Sequence, residues 1–300
     1  MQQYSKAKIL ASGDTALLTG FISGMGAAVI WGLWPVITRL GVTTQFSAED
    51  IVVVRFIFAG LVLLPFYIHQ QVYKRINPLR ALILASGAGA IYVYVSALGL
   101  TFAPAGHLGI VETGTMLALS AAGGYFLLHE RKSWLQIFGY FLVFFGMLII
   151  NWQSFHLSTN AVLFGDGLLV LGGVLWALYT ILSKKWKLNA WDAVSTVSVW
   201  SLLVWVPLIL IFSGINLTAD NYKTWVLQGI GQGLVTGILG LWLYTVAVDK
   251  LGAARGSLFG ALVPAVAVFG GFLFLQEEPT ALELTGVFFT TAGILASLKN

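Results

Sequence analysis

The sequence predicts an all-α integral membrane protein: ten transmembrane helices arranged as two inverted five-helix repeats. Three observations carry this expectation. The 300 residues are 58% hydrophobic and 9% charged, with a mean hydropathy of +0.88, whereas soluble domains are about a quarter charged. The apolar residues fall into ten runs, most of them roughly 17 to 25 positions long, as a helix needs to cross the hydrocarbon core. The chain also repeats itself. VIWGLWPVITRLG at 29–41 returns as VLWALYTILSKKW at 174–186, so Trp31 answers Trp176, Trp34 answers Tyr179 and Arg39 answers Lys184.

The expected spans are 16–38, 50–70, 79–101, 105–128, 134–151, 163–183, 191–213, 223–248, 254–275 and 281–298. Full-length apolar runs, in place of ten-residue alternation, exclude an outer-membrane barrel. The first run follows the polar MQQYSKAKILASGD; it is longer than a signal-peptide core and is read as a retained span. Ser47 with Asp50 precedes the second span, and Asn189 with Asp192 the seventh; both read as helix N-caps. Pro65 answers Pro207. Tyr92 and Tyr94 answer Trp242 and Tyr244, Gly106 answers Gly256, and Glu130, Gly139 and Gly146 answer Glu277, Gly286 and Gly293. The spacing changes only at loops and helix ends, where insertions fall.

Two repeats follow, 1–152 and 160–300, each of five helices. An odd number of spans inserts the second copy upside down, and inverted repeats place a substrate site near the bilayer midplane between the halves of a transporter. Orientation comes from the cations. With the N-terminus inside, thirteen of the sixteen Lys and Arg fall on cytoplasmic segments, which puts both termini in the cytoplasm. Glu130-Arg131-Lys132 is then inside, while its counterpart Glu277-Glu278-Pro279, outside, has no basic pair. The net charge of +4 needs no nucleic acid to explain it. Cysteine is absent, which excludes disulfides and thiolate chemistry.

The two five-helix copies, the WGLWP run of the first helix and the segment HERKSWLQIFGYFLVFFGMLI resemble the EamA family of the drug/metabolite transporter superfamily. WGLWPVITRLG and FAPAGHLGIVETGTM are most similar to the YddG-type amino-acid exporters of bacterial inner membranes. The resemblance implies a basket in which helices one, three, four, six, eight and nine surround a central cavity and helices five and ten pack at the rear. It further implies export of amino acids by alternating access. Small multidrug-type antiporters of the superfamily carry an acidic residue in their first helix, but Thr15–Leu40 contains none. That leaves Glu112 as a coupling group, or facilitated diffusion.

The candidate cavity residues are Trp31, Trp34, Tyr92, Ser96, Glu112, Trp176, Tyr179 and Trp242. Trp31 and Trp34 share a helix face, as do Trp176 and Tyr179. Tyr92 and Tyr94 cannot share one; Tyr92 is preferred because Ser96 and Gly99 continue its stripe, and Trp242 is preferred over Tyr244 as its repeat partner. The rings could equally be packing or interface-belt residues. Glu112, inside a span, either meets a substrate ammonium or titrates, or else pairs with Arg39 or Arg55 as a structural lock. Arg39 and Arg55 are read as snorkelling to the outer interface, with a gate or a substrate carboxylate as the alternative. His107 is read as a solvated loop histidine, and Asp166 and Asp192 as helix caps. Pro35 in helix one and Pro264 in helix nine are candidate hinges, with Arg39 the candidate gate, and the paired glycines read as close helix packing at the rear.

No phosphate loop, HExxH or GxSxG motif occurs, so no ATPase, hydrolase or cofactor is expected. The expected partners are amino acids or related small metabolites and the lipid bilayer, with a monomer favoured. Another metabolite or a lipophilic drug is the alternative cargo.

Overall fold

The computed structural model describes residues 15–33, 47–103, 107–150, 152, 159–213, 222–276 and 278–298. Trp34, Pro35, Arg39, Gly106 and Glu277 lie outside them. Among the described residues there are helices and no strands. We label α1 Thr15–Leu33, α2 Ala48–His69, α3 Pro78–Phe102, α4 108–126, α5 Trp134–Ile150, α6 Asn160–Lys185, α7 Ala190–Phe212, α8 Tyr222–Leu251, α9 Ala253–Phe274 and α10 Ala281–Leu298. Eight of these (α1, α2, α3, α6, α7, α8, α9 and α10) are long and apolar enough to cross a membrane. The other two are α5, an apolar helix of 17 residues, and α4, which opens with a π turn over Leu108–Glu112.

Caps fix several of the starts. Ser47 accepts from the Asp50 amide at 3.2 Å and Asp50 returns the bond to the Ser47 amide at 3.0 Å, satisfying two orphan donors of α2 at once. At α7 the same sequence pattern is half used. Asn189 accepts from the Asp192 amide at 2.8 Å, but the Asp192 carboxylate turns away to grip Arg75 at 2.5 and 2.9 Å. Asp192 is thus an ion-pair partner as well as an N-terminal acid. Asp166 is no cap: Thr159 caps α6, and Asp166 lies in the second turn.

Besides the π turn that opens α4, four helices depart from regular α geometry, the first of them α3, which breaks at Ala88–Gly89 before resuming at Ala90. In α7, a π turn at Ser201–Trp205 precedes Pro207, whereas Pro65 sits inside continuous α2. In α8, the glycine-rich GIGQGLVTGILG runs as a π stretch over Gly229–Gly240. In α9, a 3-10 turn covers Leu258–Ala261 before the α-helix resumes at Leu262. Pro264 is therefore the third residue of a new α segment, where a missing N–H costs little; the irregularity belongs to the 3-10 turn preceding it.

The closest helix pair is α5 with α10. A Cβ on Gly139 would lie 2.6 Å from Gly293 O, and one on Gly146 would lie 2.6 Å from Gly286 O. The contact is crosswise. Gly139 corresponds in sequence to Gly286 but touches Gly293, and Gly146 corresponds to Gly293 but touches Gly286. A second echo joins α3 to α6, where Gly165 meets Gly99 and Ala103, and α8 to α1, where Gly20 meets Lys250 and Leu251.

Charged groups collect at one end. The Arg75–Asp192 pair, Arg80 over the Trp186 ring at 5.0 Å, Lys132–Glu130 at 2.9 Å and Lys250–Asp249 at 3.0 Å are all there. Lys184 Nζ reaches the Asp249 backbone oxygen at the same end. The opposite end carries the Ser47 box and a second pair, His107 Nδ1 to Asp166 Oδ1 at 2.6 Å.

Candidate functional site

Between the helices lies a cavity of about 230 Å³ walled by Trp31, Arg55, Tyr92, Glu112, Trp176 and Tyr244, with Leu108, Thr113, Met116, Gly260 and Val263 completing it. Trp176 on α6 is its hub. The Trp176 ring meets Trp31 of α1 at 5.3 Å, Tyr92 of α3 at 4.6 Å and Tyr244 of α8 at 5.5 Å, each edge-on, and Trp31 meets Tyr244 at 5.5 Å. Edge-to-face packing sets the positive rim of one ring against the negative face of the next, so the four rings hold each other's orientation.

Each ring is placed by its backbone. Trp31 donates its Nε1–H to Thr236 O at 3.2 Å, a carbonyl within the π stretch of α8, and Gly240 lies against the same indole nitrogen because no side chain intervenes. Tyr92 donates its hydroxyl to Glu112 Oε1 at 2.7 Å. Glu112 is only 4% exposed; its Oε2 and Ser96 Oγ crowd together over Gly172, where a Cβ would lie 2.6 Å from the one and 2.7 Å from the other. Glycine is required there for the carboxylate to stand against α6. Ser96 thus lies behind Glu112 and is not part of the cavity wall.

Arg55 lies in the second turn of α2, and its Nε is buried without a hydrogen-bond partner among the described residues. It does not snorkel: the side chain lines the cavity beside the π stretch of α8, close to Gly237. One positive and one negative side chain therefore open on a single ring-walled space. The sequence leaves this arrangement as one alternative among several, and packing decides it. Arg55 is brought there by the packing of α2 on α8, where the bare backbones of Gly229 and Gly233 admit Phe58, and Gly233 also admits the α2 main chain.

Two of the sequence-predicted ring positions are corrected. Tyr244, not Trp242, lines the cavity; Trp242 turns outward to meet Trp191 at 5.4 Å. A π helix turns fewer degrees per residue than an α helix, so the twelve residues of it in α8 rotate the following face, whereas α3 breaks instead at Ala88–Gly89, just before Tyr92. Tyr179 is 0% exposed and lies below the cavity. It bonds Thr245 at 2.6 Å, while Tyr244 bonds Thr180 at 2.7 Å. The same Tyr-Thr dipeptide on α6 and on α8 forms a reciprocal clasp at the cavity floor, on the side of the charged end.

Each hydroxyl bond of the clasp contributes about 1 kcal/mol. Tyr179→Phe with Tyr244→Phe is expected to lower the thermal unfolding midpoint in detergent about twice as far as either single change. Equal midpoints for parent and double variant would remove the clasp from the account of stability.

His107, read from sequence as solvated, is 5% exposed and bound to Asp166; α4 and α6 bring together two residues 59 positions apart. Among the described residues no group of three or more His, Cys, Asp or Glu could hold a metal ion.

The profile of the EamA-like transporter family matches residues 18–152 and 163–299. Among curated proteins, the chain is 24% identical over 212 residues to the uncharacterised transporter YoaV of Bacillus subtilis, covering 69% of this chain and 70% of that one. It is 24% identical to YyaM of the same organism, another uncharacterised transporter, over 63% of each chain. It is 22% identical to the probable glucose uptake protein GlcU of Bacillus cereus, over 63% of this chain and 68% of that one. One solved crystal structure superposes with a TM-score of 0.70 at 18% identity, over 95% of this chain and 97% of the other, and so shares its fold. With a family match that takes in both halves, this membrane protein is a member of the EamA-like transporter family.

Proposed function

We propose that the protein is a secondary transporter of the inner membrane that exports amino acids, including bulky or aromatic ones, through the ring-walled cavity by alternating access. The observation that carries this reading is the pairing of Arg55 and Glu112 on one small cavity. A zwitterion needs a cation for its carboxylate and an anion for its ammonium, and an apolar side chain needs surface. Trp31, Tyr92, Trp176 and Tyr244 offer that surface, along with cation attraction at their faces. At about 230 Å³ the space is below the roughly 300 to 1,000 Å³ of drug-sized pockets, which favours a small metabolite over a lipophilic drug.

The proposed frame is ten spans in two inverted repeats, 1–152 and 160–300, acting as a monomer with both termini cytoplasmic. Two features support it. The crosswise contact of Gly139, Gly146, Gly286 and Gly293 has the reciprocity of a two-fold axis, and the charged end coincides with the segments that the cation count puts inside. The Tyr-Thr clasp then seals the cytoplasmic side. Cysteine labelling checks the orientation: in intact cells, a single cysteine replacing Lys74 is expected to resist an impermeant maleimide that labels one replacing Lys223. Labelling of the Lys74 position from outside would reverse the assignment.

A sugar is the second reading, favoured by the similarity to a probable glucose uptake protein. Proteoliposomes loaded with labelled amino acids, a hexose, a nucleobase or a lipophilic cation separate the cases. Selective amino-acid flux, greatest for large apolar side chains, is the expected result; hexose flux without amino-acid flux would overturn the proposal.

A further inference from the structure

Two features outside the aromatic cavity meet at the charged end. The first is a cleft of about 320 Å³ walled by Glu130, Arg131, Lys132, Lys184, Lys250 and Arg255. Glu130 is engaged within the fold: it accepts from the Ala253 amide at 2.9 Å and from Lys132 Nζ at 2.9 Å. Asp249 lies beside Lys184 and Lys250. Even with Arg255 set aside, four cations against these two carboxylates leave a formal excess of two, and like charges gathered in one concave site attract an anion.

The second feature is an apolar groove of about 370 Å³ between α4 and α6, walled by Leu119, Phe126, Leu127, Val174, Leu178 and Ile181. Its rim is exposed, 70% at Phe126 and 53% at Leu127. Groove and cleft join at two adjacent glycines. Gly123 packs against Ile181 in the groove, and Gly124 lies against the Glu130 carboxylate in the cleft. Trp134, 84% exposed just past the same loop, suits the headgroup level, where tryptophan gathers.

We propose that cleft and groove together bind one anionic phospholipid, its phosphate among the cations and one acyl chain along the α4–α6 groove. A positive-inside bias accounts for the side on which the cations lie, but not for their convergence on one cleft or for the groove that leads into it. A free phosphate has no use for the groove, and a zwitterionic lipid has no use for the excess charge. Basic pockets between helices at the cytoplasmic face suit anionic headgroups. The bound lipid ties the 127–133 loop to the ends of α6 and α8 and the start of α9, and so holds the charged end closed.

The test uses the full chain purified in a neutral detergent and given dioleoyl phosphatidylglycerol, dioleoyl phosphatidylcholine or inorganic phosphate. Native mass spectrometry reads retained lipid, and a thermal scan reads the unfolding midpoint. Phosphatidylglycerol is expected to be retained and to raise the midpoint, with phosphatidylcholine and phosphate doing neither. Arg131→Gln with Lys250→Gln, both exposed side chains, should weaken retention by roughly thirtyfold, about fivefold per cation. Ala122→Phe, which fills the groove from an exposed position, should weaken it as well, and Lys223→Gln at the other end should leave it unchanged. Equal retention of the two lipids, an equal midpoint rise with phosphate alone, or unaltered retention in both the charge and the groove variants would overturn the proposal.

Discussion

Glu112→Gln is expected to raise the KM for a zwitterionic substrate by roughly a hundredfold while leaving the protein folded. Truncating one partner of a desolvated charge pair costs about 2 to 5 kcal/mol, and about 3 kcal/mol corresponds to that factor. Folding should survive because Gln is nearly isosteric and its amide oxygen can still accept from the Tyr92 hydroxyl that now reaches Oε1 at 2.7 Å. Proteoliposome flux against substrate concentration gives KM, and a thermal scan of the same preparation tests the fold. If Glu112 also titrates during transport, the variant's flux should lose its pH dependence. An unchanged KM at an unchanged midpoint would assign Glu112 to structure and leave Arg55 as the sole charged contact.

Gly139→Val with Gly146→Val should separate α5 from α10 and abolish a monodisperse preparation. Besides the Thr290 hydroxyl, the atoms that the new side chains would meet are main-chain: Gly293 O and Ser297 N for the first, Gly286 O and Thr290 N for the second, all four within 2.8 Å of the added Cβ. Overpacking typically costs about 1 to 3 kcal/mol per site when neighbouring side chains can yield, and here the backbone cannot rotate away. Two such sites consume much of the roughly 5 to 15 kcal/mol that holds a typical domain together. Gly167→Ala is the control. A Cβ there meets nothing within 4 Å, and the change should be neutral or slightly stabilising. A double valine variant with a normal elution profile and midpoint would show that the pair can splay without loss.

Composition and the length of the apolar runs expose the helices, because lipid forces every backbone group to bond within its own segment. The repeat exposed Trp31 and Trp176, which the structure brings into contact, and the four rear glycines, which it also brings together. Three features depend on tertiary packing that no local pattern encodes, each for its own reason. Tyr244 replaced Trp242 because a twelve-residue π stretch changes the helical phase, and pattern reading assumes 3.6 residues per turn. Between the interface and a substrate carboxylate the sequence leaves Arg55 open, because its position along α2 says nothing of which neighbour covers it; the packing of α2 on α8 puts it on the cavity. His107 and Asp166 find each other across 59 residues, a pairing fixed by the packing of α4 on α6. Repeat partners need not share a role: Tyr92 and Trp242 are equivalent by register and differ in surroundings.

The crosswise glycine contact also bears on how such a chain could arise. Gly139 touches the counterpart of Gly146, and Gly146 the counterpart of Gly139, so each half presents the same patch to the other. A patch of that kind is complementary to itself. In the proposed frame of two inverted repeats, a polypeptide bearing only the first half would already possess the seam required to pair with an upside-down copy of itself. In the joined chain the two copies are free to diverge. The absence of a basic pair after Glu277 and the twelve-residue π stretch of α8, which α3 does not share, are marks of that freedom, located away from the shared seam.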